Sequence, residues 1–173
     1  MEGTTHVTTP GKPVEQLLVD LSDKHGATRQ ASREQLVAMG EPAVAGLIAL
    51  LAAGENQTRW EAAKALSEIH SPSAAGALVT ALEDREFGVR WLAAEGLHAT
   101  GAAAIPPLLQ ALCEHPGSLW LHEGAHHVLK GVTDLRVSRT IAPVLAALEG
   151  VEPQLTVGPA AQAALVGWPG GLS

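Results

Sequence analysis

The stretch TRWEAAKALSEIHS, residues 58–71, decides the fold, because variants of it recur along the chain at a nearly constant interval. TRQASREQLVAMGE precedes it and begins at Thr28, and VRWLAAEGLHATGA follows it and begins at Val89. A further variant, WLHEGAHHVLKGVT, begins at Trp120. Self-similarity at such a period is the signature of a repeat architecture. We therefore interpret these stretches as four copies of one structural unit.

Each copy is followed by a second apolar segment in which the apolar residues recur at intervals of three and four, the period of a helix. The four segments are EPAVAGLIALLA (41–52), SPSAAGALVTALE (71–83), AAAIPPLLQALC (102–113) and RTIAPVLAALEG (139–150). The aligned apolar columns are Val44, Ala75, Ile105 and Ile141; Leu47, Leu78, Leu108 and Val144; and Leu51, Leu82, Leu112 and Leu148.

Each unit is thus predicted to be two helices joined by a turn rich in Gly, Pro and Ser, such as MGEP (39–42) and IHSP (69–72). A single hairpin cannot bury its apolar face, whereas stacked hairpins can. We predict an all-α fold, an αα-superhelix of about ten helices. The predicted segments are a flexible lead-in 1–12; one domain 13–168 with repeats near 27–54, 55–84, 85–117 and 118–150 and capping helices near 13–25 and 156–168; and a tail 169–173.

The composition excludes several classes of protein. A net charge of -7 argues against binding to nucleic acid, because an acidic surface repels phosphates. The single cysteine, Cys113, cannot form an intrachain disulfide, and the N-terminal sequence does not read as a signal peptide. No apolar run reaches the ~18 residues of a membrane span. We expect a cytoplasmic protein, a monomer or weak homodimer, that binds neither nucleic acid nor membranes.

The pattern V/T-R-x-x-A-A-x-A-L, followed by a turn and A-x-x-P-x-L-x-x-L, resembles the HEAT repeat over residues 13–168. More narrowly, it resembles the short HEAT-like repeats of the phycobilisome-lyase type. The resemblance implies an α-solenoid. It leaves the function open, because HEAT-like arrays serve as scaffolds, chromophore lyases, hydroxylases and glycosylases.

One position of the repeated helix carries unusual residues, and helical projection places it opposite the core. The interval from Trp60 to Trp91, taken once more, leads to His122, so these three are expected to form a ridge across neighbouring helices. Such a ridge would bind a partner protein or peptide; the alternative is that each Trp lies flat on the next helix. The acidic neighbours of this predicted site are Glu61, Glu95 and Glu123, which favour a basic or amphipathic partner.

HEGAH (122–126) reads as H-E-x-x-H, the helical zinc motif. His122, Glu123 and His126 are the metal candidates, but no third ligand motif of a zinc peptidase follows. The pair His122–Glu123 also resembles the His–Glu pairs of HEAT-like deoxyhypusine hydroxylases, which use four such pairs to hold two irons. Only one pair is intact here, so that activity is not carried over and no cofactor is expected. A non-enzymatic interaction scaffold is the leading prediction, and a degenerate metal-dependent HEAT-repeat enzyme, hydroxylase-like or lyase-like, is the alternative.

Arginines form a further column of the repeat, at Arg29, Arg59 and Arg90. The resemblance implies that they join neighbouring repeats. Glu55 and Glu86 precede Arg59 and Arg90 by one helical turn, which is the spacing of an ion pair within a helix.

Overall fold

A computed structural model of the chain describes residues 12–169, so the predicted lead-in and tail lie outside the described residues except for Lys12 and Pro169. In this range there are ten α-helices and no strand, which confirms the predicted all-α class. None of these helices has both the length and the apolarity to cross a membrane. The helices are α1 (Val14–Asp20), α2 (Gly26–Met39), α3 (Glu41–Ala53), α4 (Asn56–Ile69), α5 (Ala75–Ala81), α6 (Phe87–Thr100), α7 (Ile105–Glu114), α8 (Leu119–Lys130), α9 (Leu135–Leu148) and α10 (Pro153–Val166).

The helices pack in two layers, as expected of a HEAT-like solenoid. The repeated helices α2, α4, α6 and α8 lie side by side in one layer, and α1, α3, α5 and α7 form the other. The buried apolar side chains make one connected cluster that extends from Leu17 to Leu165. Small residues allow the first layer to pack closely: a Cβ on Gly96 would lie only 3.1 Å from the Cα of Ser67 on the preceding repeat.

Three turns between the layers share a positive φ angle at the residue that ends the first helix. Gly40, His70 and Gly101 follow α2, α4 and α6 at the same position of the repeat, and their φ angles are 68°, 58° and 70°. Positive φ is unstrained for glycine, and histidine is among the residues that adopt the left-handed region more readily than most. These turns reverse the chain, so that the helix that follows lies in the other layer.

The fourth unit departs from the prediction for 118–150. The residue after α8, Gly131, has φ of -80° instead of a positive value. The next helix, α9, lies beside α8 and α10, while it is α10 that packs extensively against α7. The chain therefore ends in a hairpin of α9 and α10 rather than in a fourth repeat and a separate cap. Ile141 and Val144 are buried as expected, but in the layer of the first helices.

Candidate functional site

A pocket opens between the first halves of α6 and α8, and its volume is ≈ 180 Å³. Both helices contribute aromatic rings to it, and charged side chains from each stand at its edge. Its lining residues are Leu82, Phe87, Arg90, Trp91, Ala94, Trp120, Glu123, Gly124 and His127. We call this surface the α6–α8 pocket.

The α6–α8 pocket holds every exposed aromatic side chain of the protein. The chain has only five aromatic residues of the Phe, Trp and Tyr types. Three of them, Phe87, Trp91 and Trp120, are 68%, 49% and 45% exposed, and all three line the pocket. The other two, Trp60 and Trp168, are half-buried against the core. Exposed aliphatic side chains such as Val19, Leu135 and Val166 are scattered over the surface, whereas the exposed aromatic rings are concentrated here, which marks a candidate contact surface.

The rings make a continuous aromatic wall. The centroids of Phe87 and Trp91 are 6.5 Å apart with an interplanar angle of 27°. On the other side, Trp91 lies 5.3 Å from the imidazole of His127. That imidazole is held by a 2.8 Å contact between its Nε2 and Oε1 of Glu95. The Trp91 ring is therefore flanked by two rings and presents the remainder of its surface to solvent.

Trp60 and Trp91 occupy the same repeat position but have different environments. Trp60 lies over Gly88, the second residue of α6: a Cβ on Gly88 would be 3.0 Å from Trp60 Cδ1. The corresponding second residue of α8 is Trp120. Because an indole stands where the preceding repeat has no side chain, Trp91 cannot lie flat in the same way. Trp60 thus packs against the start of α6 and is half-buried, whereas Trp91 remains on the surface.

Arg90 joins the two aromatic groups of the pocket. Its guanidinium carbon lies 4.5 Å from the ring centre of Trp120 and 5.7 Å from that of Phe87. Its Nη1 donates hydrogen bonds to the carbonyl oxygens of Asp84, at 2.8 Å, and Arg85, at 3.2 Å. Arg90 is therefore held both by its ring contacts and by its bonds to the backbone, and the expected ion pair with Glu86 is not formed.

The expectation that His122 faces solvent was wrong. Its side chain is only 7% exposed, because the interval from α6 to α8 is one residue longer than the interval from α4 to α6. Val89 and Leu121 are the matching core positions, and both are fully buried. His122 consequently stands at the register of Arg90, in the arginine column, and is not part of a tryptophan ridge. Within residues 12–169 neither of its ring nitrogens has a hydrogen-bond partner.

The three predicted acidic residues also have different roles. Glu61 is 3% exposed and accepts hydrogen bonds from Arg29 Nε at 3.0 Å, from Gln57 Nε2 at 3.1 Å and from Arg33 Nη1. It is a bridge between repeats, and we correct its assignment to an exposed binding surface. Glu95 contacts His127, and Glu123 is exposed at the rim of the α6–α8 pocket.

The metal candidates of HEGAH do not converge. His122 is buried, Glu123 is exposed, and Nε2 of His126 is 2.9 Å from Oε1 of Glu149. In the part of the chain that the structure describes, no group of three His, Cys, Asp or Glu side chains is arranged to hold a metal ion. The residues of the H-E-x-x-H motif therefore do not form an assembled ligand set within residues 12–169.

Cys113 is half-buried, and its Sγ donates a weak 3.6 Å hydrogen bond to the carbonyl of Gly158 on α10. Burial, together with the nearby charge of Glu114, raises the pKa of the Cys113 thiol. A raised pKa disfavours the thiolate that nucleophilic or metal chemistry needs. The Cys113 thiol thus joins α7 to α10 through this weak hydrogen bond.

Sequence reasoning missed four residues of the pocket: Phe87, Arg90, Trp120 and His127. A constant spacing placed the residues of α8, including Trp120 and His127, one position out of register, and Arg90 was expected only to join neighbouring repeats. A signal was nevertheless present, because three of the five aromatic residues lie between positions 87 and 120 of an otherwise aromatic-poor chain.

The comparison with known families agrees with the repeat fold. A family model described as HEAT repeats matches residues 44–130, which is half of the 173-residue chain. The match extends from the first turn of α3 to the end of α8 and includes the residues of the α6–α8 pocket. No curated protein matches the chain.

Proposed function

The chain belongs to the HEAT-repeat family, and on that premise we propose that it is a non-enzymatic scaffold that binds a partner protein or peptide through the α6–α8 pocket. Solenoids of this kind use the continuous surface of stacked helices for binding, and HEAT repeats commonly serve as interaction scaffolds. The observation that carries the proposal is that Phe87, Trp91 and Trp120, the exposed aromatic side chains of the protein, all line this one pocket.

The composition of the pocket supports binding of a protein. Trp and Arg are the residues most enriched where truncation to alanine weakens protein–protein contacts, and they act best in a concave site that excludes water. Here Trp91, Trp120 and Arg90 surround a pocket that can accept one apolar side chain. Around it, Glu123 and the His127–Glu95 pair provide a polar rim.

The proposed binding surface is the α6–α8 pocket and not the predicted ridge of Trp60, Trp91 and His122. Trp60 and His122 contribute to packing, and Glu61 is neutralised by two arginines. Of the residues predicted from the sequence, Trp91 and Glu123 remain in the proposed contact surface, with Glu95 acting through His127.

The test uses a library of random peptides displayed on phage, selected against the purified protein and against a Trp91→Ala/Trp120→Ala variant. We expect the wild-type protein to enrich peptides with apolar side chains, and the double variant to bind them at least about tenfold more weakly, as for central residues of an interface. Circular dichroism and thermal melting confirm that the variant remains folded.

The matched control removes exposed apolar side chains elsewhere, in Leu135→Ala and Val166→Ala. These variants are expected to bind the selected peptides as the wild type does. Equal binding by the tryptophan double variant, or the absence of any enriched peptide, would refute the proposal.

A further inference from the structure

The arginines of the repeat share one pattern of hydrogen bonds. In each case Nη1 donates to backbone carbonyls of the loop that precedes the helix: Arg29 to Asp23 at 2.8 Å, Arg59 to Gly54 at 3.1 Å, and Arg90 to Asp84 and Arg85. These bonds fix the guanidinium against that loop. They orient the opposite edge, formed by Nε and Nη2, toward the next repeat.

In the first two members of the column a carboxylate occupies that edge, and it comes from the next helix of the same layer (Glu61 of α4) or from the loop before that helix (Asp84, before α6). Arg29 Nε donates to Glu61 Oε1 at 3.0 Å. Arg59 makes a bidentate contact with Asp84, with Nε to Oδ2 at 2.7 Å and Nη2 to Oδ1 at 2.9 Å. This paired geometry is the one in which guanidinium binds carboxylate most strongly.

The third member of the column lacks this partner. The ion pairs found within residues 12–169 do not include Arg90, and neither its Nε nor its Nη2 donates to any atom of that range. The sequence explains why Arg90 has no carboxylate partner. The loop before α8, His115–Ser118, reads HPGS and contains no acidic residue, and Gly124 stands at the register of Glu61.

Arg90 lines the α6–α8 pocket, and its Nε and Nη2 have no acceptor among residues 12–169. Trp120 and Phe87 contact the guanidinium, and the two backbone carbonyls hold Nη1, so little side-chain entropy remains to be lost on binding. Exposed aromatic rings lie next to the free donors. The pocket therefore presents the Nε and Nη2 donors of Arg90, held in place, to a carboxylate, next to a site for an apolar side chain.

We infer that the partner segment bound by this pocket carries an Asp or Glu side chain adjacent to an apolar side chain, and that the carboxylate completes the arginine column by a bidentate contact with Arg90. The inference rests on the proposed function and specifies its partner. An acidic side chain is favoured because Glu61 and Asp84 are the groups that fill the same edge in the preceding repeats. The carboxylate of Glu123, at the rim of the pocket, repels the carboxylate of the partner and so lowers the affinity of the protein for that partner.

The inference changes the expected charge of the partner. Three acidic residues near the tryptophans favoured a basic segment when only the sequence was considered. The structure pairs Glu61 with Arg29 and Arg33, and it places Glu95 against His127. The charges that line the pocket and have no ion-pair partner among residues 12–169 are Arg90 and Glu123, and only the former is held rigidly among aromatic rings.

The experiment uses the same phage library, with each peptide fused through its C terminus so that side chains supply its carboxylates. Selection is carried out on wild type, Arg90→Gln and Arg90→Lys. We expect wild-type selection to enrich Asp and Glu next to apolar residues, and Arg90→Gln to lose this acidic preference while retaining the apolar one. Arg90→Lys keeps the charge but not the fork, and an intermediate preference is expected.

The strongest selected peptide is then synthesised with blocked termini, together with its Asp→Asn or Glu→Gln analogue. On wild type the carboxylate is expected to improve affinity about tenfold, as a charge-assisted pair does, and on Arg90→Gln the two peptides should bind alike. The matched control is Arg136→Gln, which removes an exposed arginine of α9 and should leave the tenfold difference intact. Glu123→Gln should tighten binding of the acidic peptide.

The outcomes separate the two claims. Peptides that require Trp91 and Trp120 but show no acidic preference would overturn the inference about Arg90 and leave the proposed function standing. A tenfold carboxylate effect that persists in folded Arg90→Gln would also overturn the inference. If the wild-type protein enriches no peptide at all, both claims fail together.

Discussion

The contact between α4 and α6 and the contact between α6 and α8 come from the same repeat, yet the first is closed and the second is open. In the closed contact, the indole of Trp60 covers Gly88, and Arg59 binds Asp84 at both of its carboxylate oxygens. In this contact the Trp60 indole is therefore packed against α6, and the Arg59 guanidinium is paired with a carboxylate of the same chain.

The open contact differs at two positions. Trp120 replaces the glycine, so Trp91 is left on the surface, and the loop before α8 provides no carboxylate for Arg90. The tryptophan and arginine positions that close the α4–α6 contact therefore form a pocket at the α6–α8 contact. In a repeat protein, a binding site is most readily found where one repeat fails to supply the partner that its predecessor supplies.

The largest effect is expected from removing the carboxylate of the closed contact. Asp84→Ala leaves the Arg59 guanidinium largely buried and unpaired, and we expect the free energy of unfolding to fall by about 2 kcal/mol. Glu123→Ala, at the open contact, removes an exposed carboxylate and should change it by less than about 0.5 kcal/mol. Urea unfolding of both variants gives the comparison, and equal losses would contradict it.

The effect of Asp84 should also depend on pH. Burial opposes its ionisation, but hydrogen bonds from Arg59 and from the Glu86 amide outweigh burial and lower the pKa of the Asp84 carboxyl. A lowered folded-state pKa gives stability that is present above the unfolded pKa of about 3.9 and is lost as the pH falls through the folded value. The difference between wild type and Asp84→Ala should therefore shrink below about pH 4, and a constant difference would exclude the carboxylate as its source.

A smaller effect is expected from opening the closed contact by sterics. Gly88→Leu places a side chain where the indole of Trp60 lies, and we expect a loss of about 1–2 kcal/mol with a shift of tryptophan emission to longer wavelength. The control is Gly76→Leu, also at the second residue of a helix, where a Cβ meets no atom within 4 Å. An unchanged emission spectrum in Gly88→Leu would show that Trp60 does not depend on the glycine.

The smallest effect is expected at the buried histidine of the open side. His122→Leu replaces two buried ring nitrogens that have no partner among residues 12–169 by apolar atoms, and we expect stability to rise by about 1 kcal/mol. His126→Leu is the control: its ring is bonded to Glu149 and partly exposed, so no gain is expected. Thermal melting distinguishes the two, and a loss of stability in His122→Leu would indicate that the imidazole has a favourable role.

The repeat, its helical class and its core were predictable because they depend on local periodicity. Leu47, Leu78 and Leu108 are fully buried, as expected of an apolar column with helical spacing. The final hairpin was not predictable in this way. Leu148 and its apolar neighbours have the same period whichever layer receives them, and only the contacts of α9 with α8 and of α10 with α7 show which layer each helix joins.

Only part of the site could be predicted from the sequence, because the site also depends on how neighbouring repeats pack. Trp91 and Glu123 were recognised by type and position, but His122 was placed on the wrong face by a shift of one residue, which rotates a helix position by ~100°. Arg90 was recognised as part of a column, and its vacancy became evident only from the hydrogen bonds of Arg29 and Arg59.

By itself the sequence determined a HEAT-like stack of helices, its repeating core and the columns of arginine and tryptophan, because these follow from the spacing of residue types along the chain. The tertiary structure decided which members of each column are satisfied. Whether a tryptophan of the column is buried, or an arginine is paired, depends on the residues of the adjacent repeat that lie within contact distance. Those residues are a whole repeat away along the chain. The closed position of Trp60 and the open positions of Trp91 and Arg90 are therefore products of packing between repeats.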